Sequence, residues 1–209
     1  MRSTYLYAFV FLSVVCFGIV LCFPVPVEAS GYMGHQAKKG CTKCHGKQFK
    51  SWQDTSHGKA MESLKPGVKK EAKTKAKLDP DKDYTQDKDC LKCHTTGYSK
   101  GGYSPGNNVK MENFSNVGCE SCHGGGKDYM DVKKKYRKKL IPRQEMIDAG
   151  MLYGEKEVCE KCHNNDSPFN AELDKKYALD YKKVLKKATH EHKKLKKLPI
   201  RKGSEWLYE

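Results

Sequence analysis

Cys41-Thr42-Lys43-Cys44-His45, Cys90-Leu91-Lys92-Cys93-His94, Cys119-Glu120-Ser121-Cys122-His123 and Cys159-Glu160-Lys161-Cys162-His163 decide how this chain folds. Each is a Cys-x-x-Cys-His, the attachment pattern for c-type heme. Two thiols separated by two residues can form thioethers to the two vinyl positions of a porphyrin. The histidine that follows then sits under the iron as its proximal ligand. The motifs imply four covalently bound hemes c, held by Cys41, Cys44, Cys90, Cys93, Cys119, Cys122, Cys159 and Cys162, with iron on His45, His94, His123 and His163. No cysteine of residues 30–209 lies outside the four motifs.

Two other uses of paired cysteines fit less well. Zinc would take the four pairs as two sites and leave the four adjacent histidines unexplained. Disulfides form in exported proteins, but a redox-active Cys-x-x-Cys would want a βαβ context that this sequence lacks.

The first residues read as an address. Arg2 precedes an apolar stretch from about Tyr7 to Phe23, and Val27-Glu28-Ala29 places small residues where signal peptidase wants them. Residues 1–29 are therefore expected to be a secretory signal, cleaved after Ala29 and taking Cys16 and Cys22 with it. Pro24 and Pro26 break the stretch, which argues against a membrane anchor, and Leu21 argues against lipid attachment at Cys22. Residues 30–209 form the expected tetraheme domain, in the periplasm or outside the cell, with no stable membrane insertion after cleavage.

Composition supports a cofactor-built core. Mean hydropathy is −0.81, and the apolar inventory is nearly too thin for a domain of this size. Heme supplies the missing apolar surface. The formal charge of +15 is a footprint shared with nucleic-acid and anionic-membrane binders, but an exported chain whose heme propionates offset part of the excess points elsewhere. A positive face for docking acidic redox-partner proteins, with no nucleic-acid role, is the expectation.

Patterning predicts a mainly α fold with long loops, organised around four stacked covalent hemes. Two short helices are expected between Phe49 and Lys77, broken at Pro66. Loop with a small hairpin is expected from Thr95 to Val117, a lysine-rich segment from Lys127 to Lys139 ended by Pro142, and a turn from Asn164 to Pro168. A long basic helix is expected from about Glu172 to Lys197, with Tyr177, Tyr181, Val184, Leu185, Ala188, His192 and Leu195 on one face.

The sixth position of each iron decides between a carrier and a catalyst. His35, His57, His190 and His192 are the histidines left to fill it. Two axial histidines give a closed low-spin iron suited to electron transfer, whereas an open position lets small molecules bind.

Ser51-Trp52-Gln53-Asp54-Thr55-Ser56-His57, the stretch from Ala60-Met61-Glu62-Ser63-Leu64-Lys65-Pro66 to Asp83-Tyr84-Thr85-Gln86-Asp87-Lys88-Asp89-Cys90, Val117-Gly118-Cys119-Glu120-Ser121-Cys122-His123-Gly124 and His190-Glu191-His192 resemble the tetraheme cytochrome c-554 family, electron acceptors of hydroxylamine oxidoreductase in ammonia-oxidising bacteria. The resemblance is dense from Lys39 to Gly124 and sparser beyond. It implies stacked heme pairs, His57 on the third iron, His190 on the fourth and an open second iron under His94. Helical spacing alone would place His192 rather than His190 on the apolar face. The resemblance also implies a histidine ten residues beyond the third motif as ligand of the first iron, and here that position is Lys133. His35 is the leading replacement in sequence, with Met130 behind it.

The expected function is electron carriage between redox partners, among them a hydroxylamine oxidoreductase-like donor and another cytochrome as acceptor, with no bond chemistry asked of side chains. Two alternatives stay open on sequence: reduction of nitric oxide or a related nitrogen oxide at an open heme, and a polymer in which His35 ligates the heme of a neighbouring subunit.

Overall fold

The computed structural model describes residues 31–35, 40–106, 111–136, 141–187, 199–202 and 205–208. Residues 1–29, His190 and His192 lie outside them. The α-helices are short: α1 (Thr42–Gln53), α2 (Lys70–Lys75), α3 (Lys88–His94), α4 (Cys119–His123), α5 (Lys127–Tyr136), α6 (Arg143–Asp148), α7 (Lys156–Glu160) and α8 (Tyr181–Lys187). Single turns of 3-10 helix lie at Met61–Leu64, Met111–Asn113 and Lys175–Tyr177. Among the described residues strand is confined to an antiparallel hairpin, Pro199–Lys202 against Glu205–Tyr208, and an isolated bridge between Thr95 and Ser115. The class is mainly α with long loops, as the sequence indicates.

Local chemistry explains the interruptions. Lys65 precedes Pro66 and is extended at φ −68°, ψ 153°, because the proline ring disfavours helix in the residue before it. Asp87 caps α3, its side chain accepting from the Asp89 N–H, which seats the second motif on a helix.

Two expectations need correction. The first helix begins at Thr42, inside the first motif, rather than near Phe49, and it bends at His45 (φ −112°, ψ 35°). The long helix from Glu172 does not form over its first residues. Asn170 Oδ1 accepts from the Glu172 and Leu173 N–H groups, and the Asp174 side chain accepts from Lys176 N–H to start a separate 3-10 turn. Asp180 then accepts from Lys183 N–H and opens α8 at Tyr181. Short side-chain acceptors offer the backbone an alternative to a continuous helix. The remainder of the expected helix, from residue 188, lies outside the described residues.

Protein side chains alone make a small core. Leu64, Tyr84, Leu91 and Tyr103 form its centre, with Met61, Leu78, Cys90, Tyr98, Met111 and Phe114 packed against them. Leu91, between the two cysteines of the second motif, is fully buried. A second nucleus stacks Phe49 on Trp52, whose indole Nε1 donates to Val117 O at 2.9 Å. That bond ties α1 to the approach of the third motif.

Candidate functional site

Every motif is wound into a helical turn, which brings the first cysteine, the second and the histidine onto one face. In the first and fourth motifs the histidine N–H donates to the carbonyl of the leading cysteine at 2.9 Å. The proximal imidazoles are not packed away: His45 and His163 are exposed, and His94 and His123 are half-buried. A cleft beside His163 is lined by Asn164, Phe169, Asn170 and Tyr177.

Two of these histidines are oriented by backbone carbonyls. His94 Nδ1 lies 2.8 Å from Ala60 O, and His123 Nδ1 lies 3.0 Å from Leu152 O. Donation from Nδ1 fixes the tautomer and leaves Nε2 as the lone-pair nitrogen, the arrangement metal-bound imidazole requires. Burial pushes the His94 imidazole down toward its neutral, ligating form, against the bond to Ala60. Partial desolvation acts the same way on His163 and on His45, where the charges of Lys133 and His123 add to it.

Gly124 makes the anchor on His123 possible. It has φ +74°, and a Cβ there would lie 2.6 Å from Gly150 O. The missing side chain lets residues 150–152 run against the third motif, where Leu152 N–H also donates to His123 O at 3.0 Å.

The motifs meet in an order different from their order in the chain. The Cys41 and Cys119 side chains lie beside one another, pairing the first motif with the third. Cys93 and Cys162 do the same for the second and fourth. The third and fourth are joined in turn, since helices α4 and α7 pack against one another. His57 stands at that junction, its carbonyl accepting from Val117 N–H at 3.1 Å and its ring centroid 6.1 Å from that of His163. The spatial sequence is first, third, fourth, second.

Glu120, a variable position within the third motif, is a structural member that sequence reading passed over. It is 2% exposed, and its carboxylate accepts from Met33 N–H (2.9 Å), Gly34 N–H (2.8 Å) and Gly126 N–H (2.6 Å). Burial raises its proton affinity, and the three backbone donors oppose that shift. Its only trace in the sequence is an acid among glycines.

His35 is carried on the segment Glu120 holds. It is 6% exposed, stacked on Phe49 at 5.1 Å and tilted against Trp52 at 5.3 Å. Its N–H donates to Asn113 O and its carbonyl accepts from Thr42 N–H. Its Nδ1 is buried with no partner among the described residues. His35 thus lies in the core of its own subunit between the first and third motifs. The expectations placed on His190 and His192 fall outside the described residues.

Comparison with known proteins follows the same lines. The family model described as cytochrome c554 and c-prime matches residues 40–124. Cytochrome c-554 of Nitrosomonas europaea is 45% identical over 181 residues, covering 77% of this chain and 76% of that protein. The solved structure of the reduced state of cytochrome c554 from Nitrosomonas europaea superposes with a TM-score of 0.72 at 42% identity, over 81% of this chain and 89% of that one.

Proposed function

The chain belongs to the cytochrome c554 and c-prime family, a family of electron-transferring c-type cytochromes with covalent heme, and from that premise we propose that it relays electrons along the motif order first, third, fourth, second. The observation that carries this reading is the interlocking of the motifs: Cys41 beside Cys119, helix α4 packed on α7, and Cys162 beside Cys93. The donor set fits heme c, with paired thiols on one face of a helical turn and a neighbouring imidazole whose Nδ1 is anchored in two motifs of the four. Bound heme supplies the reversible one-electron chemistry; the chain spaces, orients and insulates the irons.

His57 ligates the third iron, on the strength of its backbone bond to the residue two before Cys119. His190 ligates the fourth, with His192 as the alternative donor of the same segment. Residues 1–29 direct export and are removed, and the carrier works in the periplasm or outside the cell. Its donor is a hydroxylamine oxidoreductase-like protein and its acceptor another cytochrome. The first and second motifs, as the ends of the row, are where electrons enter and leave.

Purified protein tests the reading directly. A pyridine hemochrome assay should return four hemes per chain, and rapid-mixing reduction by a small-molecule donor should fill all four, followed by complete reoxidation by an acceptor cytochrome. Fewer than four hemes, or a subset of irons that never exchanges electrons with the rest, would overturn it.

A further inference from the structure

Ala60 O carries more than the anchor on His94. The carbonyl belongs to the 3-10 turn at Met61–Leu64, accepting from Ser63 N–H at 3.2 Å. It also accepts from the Ser63 hydroxyl at 2.6 Å and from His94 Nδ1 at 2.8 Å. A carbonyl oxygen has two lone pairs, so three donors converge on two acceptor sites. The turn cannot drift from the motif to relieve the crowding, because Leu64 and Leu91 share one buried core and the turn packs against α3.

Two effects of Ser63 on His94 oppose each other. By donating to Ala60 O, the hydroxyl draws electron density from the oxygen that His94 uses, and weakens that bond. Its own oxygen lies 3.3 Å from His94 Nδ1, a second acceptor that strengthens the hold on the same proton. Distance decides between them. The 2.6 Å bond is short even for O–H···O, whereas the 3.3 Å contact is longer than the usual N–H···O bond. Competition therefore outweighs support.

We infer that Ser63 is a positioning residue of electron transfer, acting through His94 to raise the potential of the heme on the second motif. An imidazole whose Nδ1 proton is held less firmly is a poorer electron donor through Nε2, and outer hydrogen bonds of this kind tune the potential. No bond is made and no proton leaves; the hydroxyl changes how readily the iron keeps an electron. The inference rests on the relay reading, in which it favours residence of the electron at the second motif's end of the row.

Potentiometric titration of the holoprotein, with each heme followed by its methyl signals in nuclear magnetic resonance, tests it. Ser63→Ala should shift the second heme's potential downward while the other three hold. Ser63→Thr, which keeps the hydroxyl, should return it to the wild-type value. A hydroxyl that only braced the turn would lower the melting temperature on removal and leave that potential in place. An unmoved or raised second potential in Ser63→Ala overturns the inference, and so does an equal fall at all four hemes or a threonine variant that matches alanine. The second heme reports whether or not the other three are loaded, so a heme count below four would sink the relay reading and leave this one to its own result. A chain with no heme on the second motif overturns both.

Discussion

At the residue scale, His35 combines covered ring faces with an unpartnered nitrogen. Phe49 and Trp52 pack on its ring, and its Nδ1 is buried with no partner among the described residues. Burial lowers its proton affinity, with Asn113 and Glu112 opposing. A histidine whose folded pKa lies below its unfolded value takes up protons more readily when unfolded. Its contribution to stability is intact above the ordinary histidine range and is lost as pH falls through that range and below it. His35→Phe keeps the stacking and removes a buried nitrogen without a partner, a group that costs about 1–3 kcal/mol when unsatisfied. Denaturant titration should find the variant at least as stable as wild type at neutral pH, and more so at pH 5. A variant less stable at both would mean that the Nδ1 has a partner in the folded protein.

At the element scale, the third motif depends on a glycine that no helix propensity would single out. Gly124→Ala forces a side chain into the left-handed region, costing about 1–3 kcal/mol, and drives its methyl into Gly150 O. The segment that must yield carries the Leu152 carbonyl that holds His123. Thermal unfolding should therefore drop, and the third heme's potential should shift while the others hold; equal shifts at all four would count against a local mechanism. The same scale shows what the sequence discloses. The motifs, the chain break at Pro66 and the mainly α class were readable, because covalent chemistry and ring sterics act locally. The helix expected from Glu172 was not, since Asn170, Asp174 and Asp180 each draw N–H groups into local caps that periodicity cannot see. Glu120 was missed for the opposite reason: its partners at Met33 and Gly34 lie more than eighty residues away in sequence, and only packing brings them together.

At the scale of the whole molecule, charge and cofactor content act together. A formal +15 is partly offset by heme propionates, and much of the remainder is carried on exposed lysines. Long-range attraction of this kind speeds encounter with acidic partners and is screened by salt over about 10 Å at 0.1 M. Stopped-flow reduction by an acidic protein donor should slow steeply as salt rises, whereas reduction by a small neutral donor should hardly change. Rates that rise with salt would mean the docking face is not basic.

The interleaving of the motifs also bears on how the molecule is made. The two ends of the row, at Cys41 and Cys90, are synthesised first, and the residues that bridge them come from the third and fourth motifs. A chain cut short after residue 118 would hold two terminals with no conductor between them. On the proposed relay order, end-to-end conduction needs all four motifs, and such a truncated chain would be coloured but silent.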